Sequence, residues 1–191
     1  MKGKQVNKIT QKGDVKMIRI WIGSLAAYNA GALVGRWVEL PQDEDGLQEI
    51  IDEINKEAEQ IEGVTNAEEV DIFDYETNIE GLYDELNGLN IYQMNELAEI
   101  LEDLTDDKIK EFTAILEVVG TLEDAIETFQ NQDYTAIHDV EDYYDLGYRY
   151  VELTGMEIPD YLTNYIDYEK LGRDLTFDGW YITNGIAILI N

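Results

Sequence analysis

The 191-residue chain has no cysteine, one histidine, two prolines, and 13 Lys and Arg against 42 Asp and Glu. The missing cysteines exclude a disulfide framework, a thiol nucleophile and any thiolate metal site. A zinc site would have to combine His138 with carboxylates alone, an unusual donor set. His138 is therefore read as a polar residue at a strand end. No apolar run is long enough to span a bilayer. The start of the chain is basic but lacks the hydrophobic stretch of a signal peptide, so the expected location is the cytoplasm. The chain also lacks the phosphate-cradling GxxxxGK[ST] loop, GxGxxG and HExxH. Residues around Asp43, Asp45 and Gly46 resemble part of a calcium loop, but Pro41 stands where the first Asp ligand belongs, which rejects an EF-hand. A glycosidase needs two carboxylates at a set separation, and nothing singles out a pair among 42. The expectation is no catalytic site, no cofactor and no specific metal site.

What is present is negative charge. The formal net charge is -29. Five of the 13 cations (Lys2, Lys4, Lys8, Lys12 and Lys16) fall in residues 1–16, opposed only by Asp14. Residues 17–191 therefore hold 8 cations and 41 carboxylates, a balance of 8 − 41 = -33. Between Trp37 and Asp107 the one cation is Lys56. From Glu111 to Asp145 there is no Lys or Arg. Such a surface repels itself. It excludes direct nucleic-acid binding, which requires Lys and Arg to neutralise phosphates, and it disfavours anionic membranes. The fitting partner is a basic surface. Apolar residues still make up 45% of the chain, so this is not the composition of a disordered protein.

The patterning predicts a mixed α+β fold: an elongated chain of three small units. Residues 1–16 are read as a disordered leader. Residues 17–88 form an N-terminal α+β unit, 89–131 a central helical unit and 132–191 a C-terminal α+β unit. Strands are expected at 17–25, 33–40 and 70–75. Leu47, Ile50, Ile51, Ile54, Ala58 and Ile61 recur at helical spacing behind Asp43, Glu44 and Asp45, whose charge suits a helix start. Three apolar stripes follow: Met94–Leu97–Leu101–Leu104, Ile109–Phe112–Leu116–Val119 and Leu122–Ala125–Ile126–Phe129. Thr121 with Asp124 signs the start of the third. A short strand is expected at 134–137. Val140, Tyr143, Gly147, Tyr150 and Val151 mark a helix closed by Gly155, and Pro159 suits the first turn of another short helix. Closing strands are expected at 177–183 and 185–190 around Asn184–Gly185. Tyr165 and Tyr168 are read as buried positions that hold the fold or a dimer.

The carboxylates fall in a pattern of their own. Glu96, Glu99 and Asp103 stand three and four apart with no cation near, as do Asp142 and Asp145. Like charges at that spacing cost helix stability, so the pattern serves something else. B-DNA carries one charge per about 1.7 Å, so 29 charges match roughly 50 Å of duplex. A compact chain of this length is about 40 Å across. Carboxylates one helical turn apart lie about 5–6 Å apart, the scale of phosphate spacing. Mimicry of DNA is physically possible. The residues alone leave three other readings open: an acidic binder of another basic, DNA-binding partner; a carboxylate enzyme with a pocketed pair of raised pKa; and a protein adapted to high salt.

Specific stretches narrow this choice. Residues 24–40, SLAAYNAGALVGRWVEL, follow a strand with a Tyr-Asn turn and a Gly-x-Leu-x-Gly-x-Trp strand, and 70–76 read VDIFDYE. Near the end come DLGYRYVELTG (145–155) and EIPDYLTNYIDYEKLGRDL (157–175). Together these resemble the ArdA-type antirestriction proteins of conjugative elements and plasmids, over most of residues 17–191. The motif positions that carry the resemblance are Leu146, Gly147, Tyr150, Val151, Asn164, Tyr165, Asp167, Tyr168, Gly172, Arg173 and Asp174. The resemblance implies a DNA mimic that occupies the DNA groove of type I restriction–modification enzymes, and a homodimer formed through the C-terminal part. It places the family's antirestriction motif at roughly 140–155. The carboxylates expected to stand for phosphates are Asp43, Glu44, Asp45, Glu49, Asp52, Glu53, Glu96, Glu99, Glu102, Asp103, Glu123, Asp124, Glu127, Asp142 and Asp145.

Overall fold

The computed structural model describes residues 17–191, so the expected leader at 1–16 lies outside the described residues. β1 (Ile18–Ser24) is the centre of an antiparallel sheet, flanked by β2 (Gly35–Leu40) and β3 (Val70–Thr77). Side chains alternate across a strand. Ile18, Ile20 and Ile22 are buried, while Arg19 and Trp21 are half-buried on the other face. Ser24 ends β1 and caps α1 (Leu25–Asn29) by accepting from the Ala27 N–H. The expected strand at 17–25 thus stops one residue early, because a capping serine favours a helix start there.

α2 (Glu44–Ala58) begins at Asp43, whose carboxylate accepts from the Gly46 N–H at 2.7 Å. Its buried stripe is Leu47, Ile51, Ile54 and Ala58. The helix ends before Ile61, which belongs instead to a small satellite cluster with Ala27, Val64 and Ala67. α3 (Ile91–Glu102) opens with a reciprocal Asn90–Gln93 capping box. Its buried Asn95 takes both the N–H (2.8 Å) and the C=O (2.9 Å) of Gln42, fixing the exit of β2 on α3. α4 (Asp106–Val119) is capped by Thr105 and closed by Gly120 in the left-handed region, φ 79°. α5 (Leu122–Asn131) starts at Thr121, which accepts from the Asp124 N–H as expected.

The second sheet has the order β4 (Tyr134–His138), β6 (Ile186–Ile190), β5 (Tyr181–Thr183), all antiparallel. Asn184 and Gly185 both have positive φ (50° and 78°), the demand of a two-residue hairpin turn. α6 (Tyr143–Thr154) ends at left-handed Gly155. Two expectations are corrected here. The stretch after Pro159 forms only turns and a 3-10 helix at Thr163–Tyr165, and the next α-helix, α7, runs Tyr168–Phe177 behind the cap Asp167. The closing strand therefore begins at Tyr181, since Phe177 still belongs to α7. The helical period of Tyr168, Gly172 and Leu175 was hidden because its middle member is a glycine.

One apolar cluster runs from β1 through α2 and the three middle helices to α5, and takes Ile186 and Ile188 from β6. Ala187, on the opposite face of β6, joins Ile137, Val140, Leu146, Leu175 and Trp180 in a second cluster. β6 is thus a single strand shared between two cores.

α6 and α7 cross at glycines. A Cβ on Gly147 would lie 2.0 Å from the Tyr168 carbonyl oxygen, and one on Gly172 1.8 Å from that of Tyr143. Both obstacles are backbone, so the helices would have to separate. Gly172→Ala should therefore lower stability by about 2–3 kcal/mol, despite alanine's better helix propensity. Thermal unfolding checks this: a melting temperature equal to or above the parent's would contradict the crossing.

Candidate functional site

Helix formation places the carboxylates outside. The apolar stripe of each helix turns inward, which leaves its acidic positions on the opposite side. Of the 41 carboxylates in residues 17–191, only Glu111 is buried, with Glu85 and Asp145 half-buried and the others exposed. On α2, Asp45, Glu49, Asp52 and Glu53 line one shallow groove of about 460 Å³ with Gln48 and Lys56. Glu44 sits in the first turn of the same helix. Glu96, Glu99, Glu102 and Asp103 lie on the outer side and at the end of α3, and Glu123, Asp124 and Glu127 on α5.

Several of these carboxylates have a local structural task. Asp43 and Asp142 are helix caps, and Asp142 accepts from the Asp145 N–H. Asp145 accepts in return from the Glu141 N–H at 3.1 Å, a reciprocal cap. Asp124 accepts from the Thr121 hydroxyl at 2.6 Å, Glu99 from the Asn95 amide at 2.8 Å, and Asp52 from Gln48 at 2.7 Å. A carboxylate at a helix start is favoured by the dipole, so Asp43, Asp124, Asp142 and Asp145 sit where negative charge costs least.

Cations are few. Among the described residues, Arg19 reaches Glu39 and Glu76, and Arg36 holds Glu53 and Glu57. Arg149 meets Asp139 and Glu152, and Arg173 lies 3.7 Å from Asp174. Eight cations cannot neutralise 41 carboxylates. Of the candidate carboxylates, Glu53 alone has a cation partner among the described residues, and the remainder present uncompensated charge.

The motif residues of the C-terminal part divide into two groups. Leu146, Gly147, Val151, Tyr168 and Gly172 are buried at the α6–α7 crossing, and half-buried Tyr150 packs its ring on Trp180 at 6.1 Å. Tyr168 meets Tyr144 and Tyr148 edge-on at 5.6 and 5.4 Å. Asp167 caps α7. Asn164, Tyr165, Arg173 and Asp174 are exposed. Tyr165 was expected to be buried and is corrected: it is 82% exposed, because the 3-10 turn that carries it lies outside both cores.

The buried Glu111 was not singled out by the sequence. It accepts from Lys108 Nζ three residues earlier, from the Tyr134 hydroxyl at 2.6 Å and from His138 Nε2 at 2.8 Å. This joins α4 to β4. Six consecutive buried residues, Glu111 to Leu116, mark α4 as enclosed on more than one side, and a charge there requires partners. Glu117, one turn and a half further on, accepts from Tyr181 (2.9 Å) and Thr183 (2.6 Å) of β5. α4 is therefore bound to the second sheet by two carboxylates. His138 is at a strand end as expected, with Glu111 as its partner.

Burial pushes the Glu111 carboxyl up, but the hydrogen bonds from Lys108, Tyr134 and His138 and the Lys108 charge outweigh it, leaving it below its ordinary value of 4.5. A depressed carboxylate stabilises the fold above its unfolded pKa, and that stability is lost as pH falls through the folded value. Protonating the repelling surface carboxylates acts in the opposite direction. Glu111→Gln should cost about 1–3 kcal/mol at neutral pH. The gap to the parent should narrow below pH 4.5. Urea midpoints of both proteins between pH 3 and 8 test this; a gap constant over that range would be the contrary result.

Another groove, about 520 Å³, lies between α2, β3 and the start of α3, and is lined by Gln48, Glu68, Glu69, Asp71, Asn90 and Tyr92 among others. Among the described residues, no group of three or more His, Asp or Glu could hold a metal ion. No helix there is long and apolar enough to cross a membrane.

Fold and surface together define an acidic α+β protein that displays nearly all its carboxylates and spends its few cations on a minority of them. Residues 20–187 match the family model described as antirestriction protein (ArdA), and the chain belongs to that family. The family's description assigns it antirestriction. No curated protein matches the sequence.

Proposed function

We propose that the protein carries out antirestriction as a DNA mimic, occupying the DNA-binding groove of a type I restriction–modification enzyme and blocking both cleavage and modification of incoming mobile-element DNA. The observation that supports this most is the display of the carboxylates: only one of 41 is buried, and the eight cations neutralise a minority. A Lys- and Arg-lined groove is the complementary surface. On this reading the segments 17–88, 89–131 and 132–191 present successive stretches of the charge, and the site of action is the cytoplasm. The protein itself does not bind nucleic acid.

The direct test is competition between this protein and labelled DNA for a purified type I enzyme. Stoichiometric displacement is expected, weakening as salt rises. Because the charge is distributed, a single substitution such as Glu96→Gln should change the inhibition constant by less than about twofold, as exposed ion pairs do. The combined Glu96→Gln, Glu99→Gln, Glu102→Gln variant should weaken it severalfold. Abolition by one neutralisation would overturn the distributed reading.

We also take the C-terminal part as the dimer interface. It exposes large apolar side chains: Tyr161 at 75%, Tyr165 at 82% and Phe177 at 81%. Exposed apolar surface on this scale marks an interaction site. Tyr165→Asp and Phe177→Asp should each shift the protein from dimer to monomer in sedimentation equilibrium while leaving its circular dichroism and melting temperature close to the parent's. Dimers that persist in both variants would place the interface elsewhere.

A further inference from the structure

Asparagine followed by glycine occurs twice in the chain, at Asn87–Gly88 and at Asn184–Gly185. The pair is chemically distinctive. A glycine nitrogen can approach the preceding side-chain amide closely because no Cβ stands in the way, and asparagine amides are labile groups. Whether such a pair reacts depends on how firmly the fold holds it.

Asn87 and Gly88 are the middle of a turn, Leu86 to Leu89, between the 3-10 helix Asp84–Leu86 and α3. Asn87 has φ -66° and ψ 123°, and Gly88 has φ 89°, the type II pattern that asks for glycine at its third position. The turn closes with one hydrogen bond, from the Leu89 N–H to the Leu86 C=O at 3.2 Å. That bond does not use the Gly88 N–H. Both residues are exposed, and nothing lies within 4 Å of where a Cβ on Gly88 would stand. Asn184–Gly185 is placed differently, as the β5–β6 hairpin turn. Both of its residues are half-buried. The Asn184 amide is pressed on another segment: a Cβ on Gly81 would lie 2.2 Å from its Nδ2. The Gly185 C=O accepts from the Val140 N–H at 3.0 Å. Thr183 and Ile186, on either side, pair with each other in the ladder, and Ile186 is buried.

We propose that Asn87 is a site of spontaneous covalent modification in the folded protein, converting to aspartate and isoaspartate, while Asn184 is protected. The Gly88 nitrogen attacks Cγ of Asn87. The N–Cγ bond forms, the Cγ–Nδ2 bond breaks, and ammonia leaves with the proton that the Gly88 nitrogen gives up. The product is a five-membered succinimide. Water then adds to one of its two carbonyls. Opening at the N–Cγ bond gives aspartate, and opening at the original backbone bond gives isoaspartate. Water is the only co-reactant, and nothing is oxidised or reduced.

The attack requires the peptide plane after the asparagine to rotate until its nitrogen faces Cγ. At Asn87 this rotation breaks one hydrogen bond of an exposed turn, an opening at the low end of the local stability range. At Asn184 it must also pull the amide off Gly81 and open the hairpin that carries Ile186. Either product at position 87 adds a carboxylate two residues after Glu85. Isoaspartate also places one more carbon in the main chain between Leu86 and Leu89, which are both packed on the larger core, just ahead of the Asn90 cap of α3. The inference does not rest on the DNA-mimic reading.

The test is a time course of the full chain at mildly alkaline pH and physiological temperature, with and without denaturing urea. Peptide mapping by mass spectrometry reads conversion at both sites, and electron-transfer fragmentation tells isoaspartate from aspartate. In the folded chain Asn87 should convert at least about fivefold faster than Asn184, and in urea the two rates should come within about twofold, because only local protection separates them. Isoelectric focusing gives a second readout. The aged folded protein should gain a more acidic band, and Asn87→Gln should lack it, since glutamine would have to close a larger and slower ring. Equal rates at the two sites in the folded chain would overturn the proposal. So would faster conversion at Asn184, conversion at both sites in urea alone, or an acidic band that persists in Asn87→Gln.

Discussion

Mutual repulsion among like charges is the constraint that every other part of this structure answers. Forty carboxylates outside the interior raise the free energy of any compact state, so the apolar interior must hold without help from surface ion pairs. The response is visible in how the cores are joined. β6 gives Ile186 and Ile188 to the larger cluster and Ala187 to the smaller. Pulling the second sheet away would open both at once. Glu111 and Glu117 add polar bonds from α4 to β4 and β5 across the same junction. On the proposed reading, charge presented to a partner must be held in place, and a shared strand does this where flexible linkers would not.

Placement of the acidic residues follows the same economy. Asp43, Asp124, Asp142, Asp145 and Asp167 sit at helix starts, where they satisfy backbone N–H groups or the cap side chain. There the helix dipole offsets part of the repulsion. One carboxylate can serve as a cap and as a displayed charge together, since capping uses one oxygen and leaves the group exposed. Structural and functional roles need not compete in such residues. Glu111 is the exception, enclosed and fully engaged, and it contributes nothing to the outer charge.

Much of the organisation was legible in the chain. The strand at β3, the amphipathic α2, the three middle helices with their Thr and Gly boundaries, and the Asn184–Gly185 hairpin each follow from local rules of period, cap and turn. α7 was not legible, because Gly172 interrupts its apolar stripe for a reason that lies in α6: each glycine makes room for the other helix's backbone. Tyr165 was misread as buried for a related reason. An aromatic residue in a motif reads as core, and only the path of the chain between α6 and α7 puts it outside.

Composition and spacing determined by themselves that this is an acidic α+β protein with its carboxylates on helix exteriors, because charge is expensive to bury and the helical period sorts residues without reference to the rest of the fold. The motif stretches carried the family. Tertiary structure decided which carboxylates stay free and which are engaged by Arg36, Asn95 or Tyr134, since those partners come from elements far apart in sequence. It also decided that β6 belongs to two cores and that Trp21 packs on Phe73. Contacts of this kind depend on strand order and register, and no local window of sequence contains them.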